Sequence, residues 1–151
     1  MSVRTPELLW AASRSLHQKG WPVLARIVKT LNWSLHKCLL PSEALVGRNV
    51  ILEHYALGVV LHPQLTIGDN CRIFHHVSLA AESPIGSSHR IVLGKNVVIG
   101  AHSIVVARRE SSLQIGEGSI LGAGSVLISD IPPYEIWAGN PARKIKDISK
   151  Q

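Results

Sequence analysis

The chain has 151 residues, 46% hydrophobic and 17% charged, which allows one domain with a sizeable core and excludes a disordered polyelectrolyte. No apolar run reaches transmembrane length, and Arg14, Lys19, Arg26 and Lys29 interrupt every stretch that could act as a signal peptide. The formal charge of +6 favours an anionic partner, but the cations are scattered and no nucleic-acid motif accompanies them; a phosphorylated cofactor or an anionic membrane face fits better.

Residues 1–43 read as an N-terminal helical cap. Thr5 is a cap residue, Pro6 suits the first turn, and Glu7 lies at the positive end of the helix dipole. This helix runs to about Lys19, where Gly20-Trp21-Pro22 breaks it, and a second runs from Pro22 to about Leu39. Trp10, Trp21, Trp33 and the leucines between them have two uses. They can plug the open end of the next segment, whose strand edges would otherwise be bare. They can also form a basic amphipathic pair lying on a membrane. Cys38 and Cys71 are too isolated for a disulfide framework and fit a reducing cytoplasm.

Residues 44–130 carry a hexad repeat. Its aliphatic positions are Val46, Leu52, Leu61, Ile67, Ile73, Leu79, Leu93, Ile99, Val105, Ile115, Leu121 and Leu127. Ile, Leu and Val make up 47 of 151 residues, so twelve hits at fixed phase have a chance of roughly one in a million before three slips of phase are allowed. Two residues before each hit stands a small or mostly β-branched residue, as expected for inward positions on short alternating strands. Three hexads make a coil of eighteen, and the first corner of each coil opens with Gly47, Gly68, Gly94 or Gly116. Glycine there, with Asn49, Asn70 and Asn96 close by, predicts a left-handed turn. The expected fold is an all-β solenoid of about four triangular coils, a prism about 19 Å tall. Insertions interrupt it at Tyr55–Gly58, at Ala81–Arg90 and near Arg109–Ser112, and such insertions usually carry function. Residues 131–151 form a C-terminal tail: Pro132-Pro133 ends the coil, 138–142 turns, and a basic helix-like segment holds Arg143, Lys144, Lys146 and Lys150.

Five of the eight histidines fall at the second corner or in the long loop. The register places His54 and His75 in one column about 5 Å apart, with Tyr55, His76 and His102 in the next. Stacked imidazoles cannot all be charged cheaply, so at least one should be neutral at pH 7 and able to act as a base. The same histidines could instead form a corner ladder without chemistry, or bind a metal.

The run Leu52-Glu53-His54 to Gly58-Val59-Val60 resembles the Leu-Asp-His-Ala-Thr-Gly-Ile-Val-Val segment of serine acetyltransferases. His89-Arg90-Ile91 resembles their Arg-His-Pro-Lys-Ile, and Pro132-Pro133 with Ala138-Gly139-Asn140-Pro141-Ala142 resembles the usual ending of hexapeptide-repeat acetyltransferases. The likeness spans about 40–145. It implies a left-handed parallel β-helix, a homotrimer, acetyl-CoA as donor, and a site between subunits. It implies His54 as general base and His89 as the second histidine, which helps bind the acceptor; Glu53, His75 and His76 are further candidate acceptor contacts from their place at the same corner. By position, the pantetheine arm of CoA can lie along the prism wall and take backbone bonds from Ala101, Gly122 and Ala123, with Arg143 or Lys144 near the phosphates. No metal is expected, because the His-x-x-x-x-His pair of the related carbonic anhydrases is missing.

The chain departs from serine acetyltransferases where Leu39 replaces an Asp fifteen residues before the base and Ser88 replaces an Arg before the second histidine. Ala80-Ala81-Glu82-Ser83 replaces their Gly-Gly-Thr-Gly. The short leader and the run Val60-Leu61-His62-Pro63 resemble the short relatives that O-acetylate sugars during surface-polysaccharide assembly. The expected function is therefore transfer of acetyl to a hydroxyl of a sugar or polysaccharide precursor. Serine O-acetylation and a non-catalytic scaffold are the alternatives. A cytoplasmic protein at the inner membrane face, touching it through residues 1–43 and binding no nucleic acid, completes the expectation.

Overall fold

Strands of two to four residues wind round a triangular prism in the computed structural model, which describes residues 5–148. The first coil holds β1 (Leu45–Val46), β2 (Ile51–Leu52) and β3 (Val60–Leu61). The second holds β4 (Leu65–Ile67), β5 (Arg72–Ile73) and β6 (Ser78–Ala81). Next come β7 (Ile91–Leu93), β8 (Val98–Ile99) and β9 (Ile104–Ala107), then β10 (Leu113–Ile115), β11 (Ile120–Leu121) and β12 (Val126–Leu127). Each strand pairs in parallel with its counterpart one coil away, so the prism has three sheets. Eleven of the twelve repeat aliphatics are at most 2% exposed; Val46, at the lower end, is half-buried. Burying each such side chain is worth about 1.5–3 kcal/mol, so the repeat is also the core. Three inward positions are serines, and each bonds to the coil above. Ser103 Oγ donates to Gly122 O at 2.9 Å, Ser119 Oγ donates to Pro132 O at 2.7 Å, and Ser125 Oγ accepts from Gly139 N at 3.1 Å.

The first corners do turn left-handed, as the sequence predicts, but not at the residue where glycine stands first. Their left-handed residue is the third, Asn49 (φ 55°), Asn70 (φ 60°), Asn96 (φ 57°) and Gly118 (φ 68°), not the leading glycine. The leading glycines answer a different demand, because the next coil lies directly against them. A Cβ on Gly68 would stand 2.6 Å from the main-chain carbon of Gly94, and one on Gly94 would stand 2.7 Å from Glu117 N. The asparagines tie successive coils together, Asn49 Nδ2 donating to Asn70 Oδ1 and Asn70 Nδ2 to Asn96 Oδ1, both at 3.2 Å.

Helices α1 (Thr5–Gln18) and α2 (Pro22–His36) form a hairpin, and α1 lies on the first coil. Trp10 is 3% exposed, and its Nε1 donates to Pro41 O at 2.8 Å. Arg14 donates to Ala44 O and Val46 O at 3.0 and 3.1 Å, while Glu7 Oε1 accepts from Leu52 N at 3.0 Å. These are edge groups of the first coil, and α1 supplies the partners that a neighbouring strand would otherwise give. The second helix stops earlier than its sequence suggests. Lys37 is left-handed (φ 54°) and donates to Trp33 O, and Leu39 then bridges in parallel to Val60.

At the other end, the expected helix-like tail is strand. β13 (Glu135–Gly139) pairs in parallel with β11, and β14 (Ala142–Asp147) folds back antiparallel on it. Arg143, Lys144 and Lys146 lie on β14; Lys150 is outside the described residues. The open edge of the last coil offers a row of ladder partners, which outweighs any local preference for helix.

Adding a methyl at a leading corner glycine should push two coils apart. Gly94→Ala should lower stability by about 1–3 kcal/mol in urea unfolding, while the neighbouring exposed Lys95→Ala should stay within about 0.5 kcal/mol.

Candidate active site

The second corners run Glu53, Phe74, Gly100 and Gly122 in their first column. The next column follows from hydrogen bonds between coils: His76 N donates to Leu57 O, His102 N to His75 O, and Gly124 N to Ala101 O. Leu57 therefore lies beneath His75, and the three inserted residues are His54, Tyr55 and Ala56. All three are left-handed (φ 53°, 56° and 57°) in a short 3₁₀-like turn. For residues other than glycine this costs roughly 1–2 kcal/mol each. Runs of such strain occur where a site requires them. The spacing of nine between Leu52 and Leu61 locates this insertion in the sequence but not which residues it comprises.

The bulge carries His54 out of the column and still lays it beside the ladder. Its ring centroid is 4.7 Å from that of His75, edge to face. His75 is also 5.6 Å from His76 and 5.2 Å from His102, and the last two stack at 4.8 Å and 19°. The predicted His76–His102 column is present, but Tyr55 is not in it. Gly58 occupies that place, with φ 67°, and a Cβ there would run into the His76 ring. Tyr55 points outward instead, 60% exposed.

Within the cluster the histidines differ. His54, His76 and His102 are exposed, while His75 is half-buried, and its Nδ1 is buried without a hydrogen-bond partner. Loss of hydration, followed by the charges of His54, His102 and His76, holds its pKa below the usual 6.5. His75 is thus biased towards its neutral form. Glu53 is committed elsewhere: its carboxylate pairs with Arg72 at 2.6 Å and is 12% exposed. That pair fixes the carboxylate of Glu53 at the start of the bulge.

His89 is not in this cluster. It lies in the loop between β6 and β7, at the third corner, half-buried, with its carbonyl accepting from Gln64 Nε2 at 3.1 Å. Beside it, Arg90 has a buried Nη1 with no hydrogen-bond partner, a feature that only the structure reveals. Ala101 and Ala123 line the second corner above His75. Gly122 has a structural reason to be glycine, since a Cβ would stand 2.9 Å from that of Ala138 on the hairpin. Lys144 is held by Glu135 at 2.8 Å and Asp147 at 2.7 Å, while Arg143 on the same strand is exposed. Cys38 and Cys71 are buried; burial pushes the Cys38 thiol up to about 11 and raises Cys71, so neither is a ready nucleophile.

No family model matches the chain. The chain is similar to a serine acetyltransferase of Mycobacterium tuberculosis, at 31% identity over 130 residues, covering 86% of this chain and 55% of that protein. It is 34% identical over 114 residues to the galactoside O-acetyltransferase of Escherichia coli, covering 69% of this chain and 54% of that protein. Among solved structures it superposes on Neisseria gonorrhoeae serine acetyltransferase with a TM-score of 0.87 at 25% identity, covering 97% of this chain and 55% of the other. The chain thus spans about half the length of these relatives. The shared fold is a left-handed parallel β-helix.

A histidine whose folded pKa is depressed binds fewer protons folded than unfolded, so stability falls as pH drops from about 7 through the folded value. Ring titration of His75 by NMR should give a midpoint below 6.5. The unfolding temperature should fall less steeply with acidification in His75→Gln than in wild type; identical slopes would contradict the assignment.

Proposed function

Because the chain is a serine acetyltransferase-like member of the hexapeptide-repeat acetyltransferases, we propose that it moves an acetyl group from acetyl-CoA to a hydroxyl, with His54 as general base. The observation that carries this reading is the bulge: three strained residues present one imidazole beside the half-buried ring of His75, at the corner where the coils are otherwise regular. A scaffold without chemistry has no use for that strain.

His54 takes the acceptor's proton as its oxygen attacks the thioester carbonyl. The tetrahedral intermediate then collapses by breaking the carbon–sulfur bond, and the departing CoA sulfur recovers the proton from His54. No acyl-enzyme forms. A neutral His75 at 4.7 Å does not oppose the imidazolium formed on His54, whereas a charged one would. The pantetheine arm runs along Ala101, Gly122 and Ala123, using main-chain groups. Arg143 serves the phosphates better than Lys144, whose ammonium is already paired.

His54 and His89 occupy different corners of one chain, so a site containing both takes His89 from a neighbouring subunit. This favours a homotrimer, and the exposed Val60 and Ile104 on the face between those corners are apolar enough to pack against a second copy.

Two acceptors are open to such a site. A sugar hydroxyl is supported by Ser88 and Leu39, where a carboxylate-gripping Arg and an orienting Asp are missing, and by the galactoside relative. Serine is supported by the serine acetyltransferase relatives.

Thiol release from acetyl-CoA should be followed with serine, glycosides and nucleotide-linked sugars as acceptors. We expect turnover with at least one, strongest with a sugar, and a loss of about 10²–10⁴ in rate for His54→Ala with acetyl-CoA binding retained. A His54→Ala enzyme within a few-fold of wild type would overturn the base assignment, and serine turnover with kcat/KM of about 10⁴ M⁻¹s⁻¹ or more would overturn the sugar preference.

A further inference from the structure

Helix α2 turns its buried side, Ala25 and Asn32, towards the rest of the molecule, at 1% and 2% exposure. Its other side is not polar. Val23, Leu24, Ile27, Leu31 and Leu35 are 70%, 46%, 58%, 47% and 60% exposed. At about 100° per residue these five fall within one arc of about 120°, a stripe along the whole helix. Trp21, 55% exposed, stands at its start.

The charge around the stripe is one-sided. Residues 8–42 contain Arg14, Lys19, Arg26, Lys29 and Lys37 but no Asp or Glu, although the whole chain has 10 acidic residues. A second copy docked through this face would bring two cationic hairpins together. An anionic lipid surface presents the opposite charge, and an interfacial aromatic with a basic-flanked apolar stripe matches what such a surface receives. The helix is 15 residues long, and no helix among the described residues is long and apolar enough to cross a membrane, so this geometry lies on a bilayer rather than through it.

We propose that α2 docks the protein on an anionic lipid bilayer, with the stripe from Val23 to Leu35 facing the acyl boundary and Arg26, which flanks the stripe, at the headgroups. This does not depend on the reaction proposed above.

The test is flotation of the full chain with vesicles of phosphatidylcholine alone, or with about one third phosphatidylglycerol. The protein should float only with the anionic vesicles. Binding should weaken at about 1 M salt, where the screening length is about 3 Å. The double variant Ile27→Gln/Leu31→Gln should lose bound fraction about tenfold while keeping the wild-type circular dichroism spectrum. Absence of wild-type flotation on anionic vesicles overturns the proposal, as does equal binding to both vesicle types, and neither result depends on the variant folding. A drop in solution mass of the double variant, with no lipid binding by wild type, would assign the face to a second copy instead.

Discussion

Parallel hydrogen bonding from coil to coil governs everything else in this molecule. Each strand sits directly on its counterpart, so each corner must nest on the next with no lateral freedom. Gly68 and Gly94 are glycine because the overlying main chain leaves no room for a Cβ. Asn49, Asn70 and Asn96 satisfy the same constraint differently, turning left-handed and linking their amides along the stack. Inside, buried serines can replace aliphatics only because the coil above offers each one a hydrogen-bond partner. At the lower end, where no coil continues, Glu7, Trp10 and Arg14 take over the open backbone groups.

The same constraint makes an inserted residue conspicuous. Extra chain cannot be absorbed inside a stack held at strand spacing, so it must leave at a corner. At the second corner it leaves as three left-handed residues, and His54 is the first of them. The surrounding histidines are set by the regular ladder, so a displaced imidazole meets an ordered row of imidazoles. One of these, His75, is biased towards its neutral form by burial and by its neighbours. The chemistry attributed to the corner therefore comes from one irregularity in an otherwise periodic structure.

Periodicity made most of the fold legible. Strand positions, inward residues, the four coils and the insertions all follow from spacing, because one side chain in two must fit a narrow interior. Spacing could not distinguish a glycine needed for its φ from one needed for its missing Cβ, since both appear as Gly at a corner. Nor could it say which three residues of Glu53–Gly58 were extra; that required the hydrogen bonds of Leu57 and Gly58. The C-terminal hairpin was hidden because β14 is a strand only by virtue of the edge it completes. The ion pair of Glu53 was hidden for a similar reason, as its partner Arg72 is distant in sequence and adjacent only across coils.

The most direct test removes the irregularity. Deleting His54, Tyr55 and Ala56 joins Glu53 to Leu57-Gly58, the spacing of Phe74-His75-His76, and should give a regular corner. With roughly 1–2 kcal/mol of strain per residue relieved, the shortened protein should unfold at or above the wild-type temperature. It should also lose acetyl transfer by about 10² or more. A shortened, folded protein that still acetylates its acceptor within a few-fold of wild type would contradict the account.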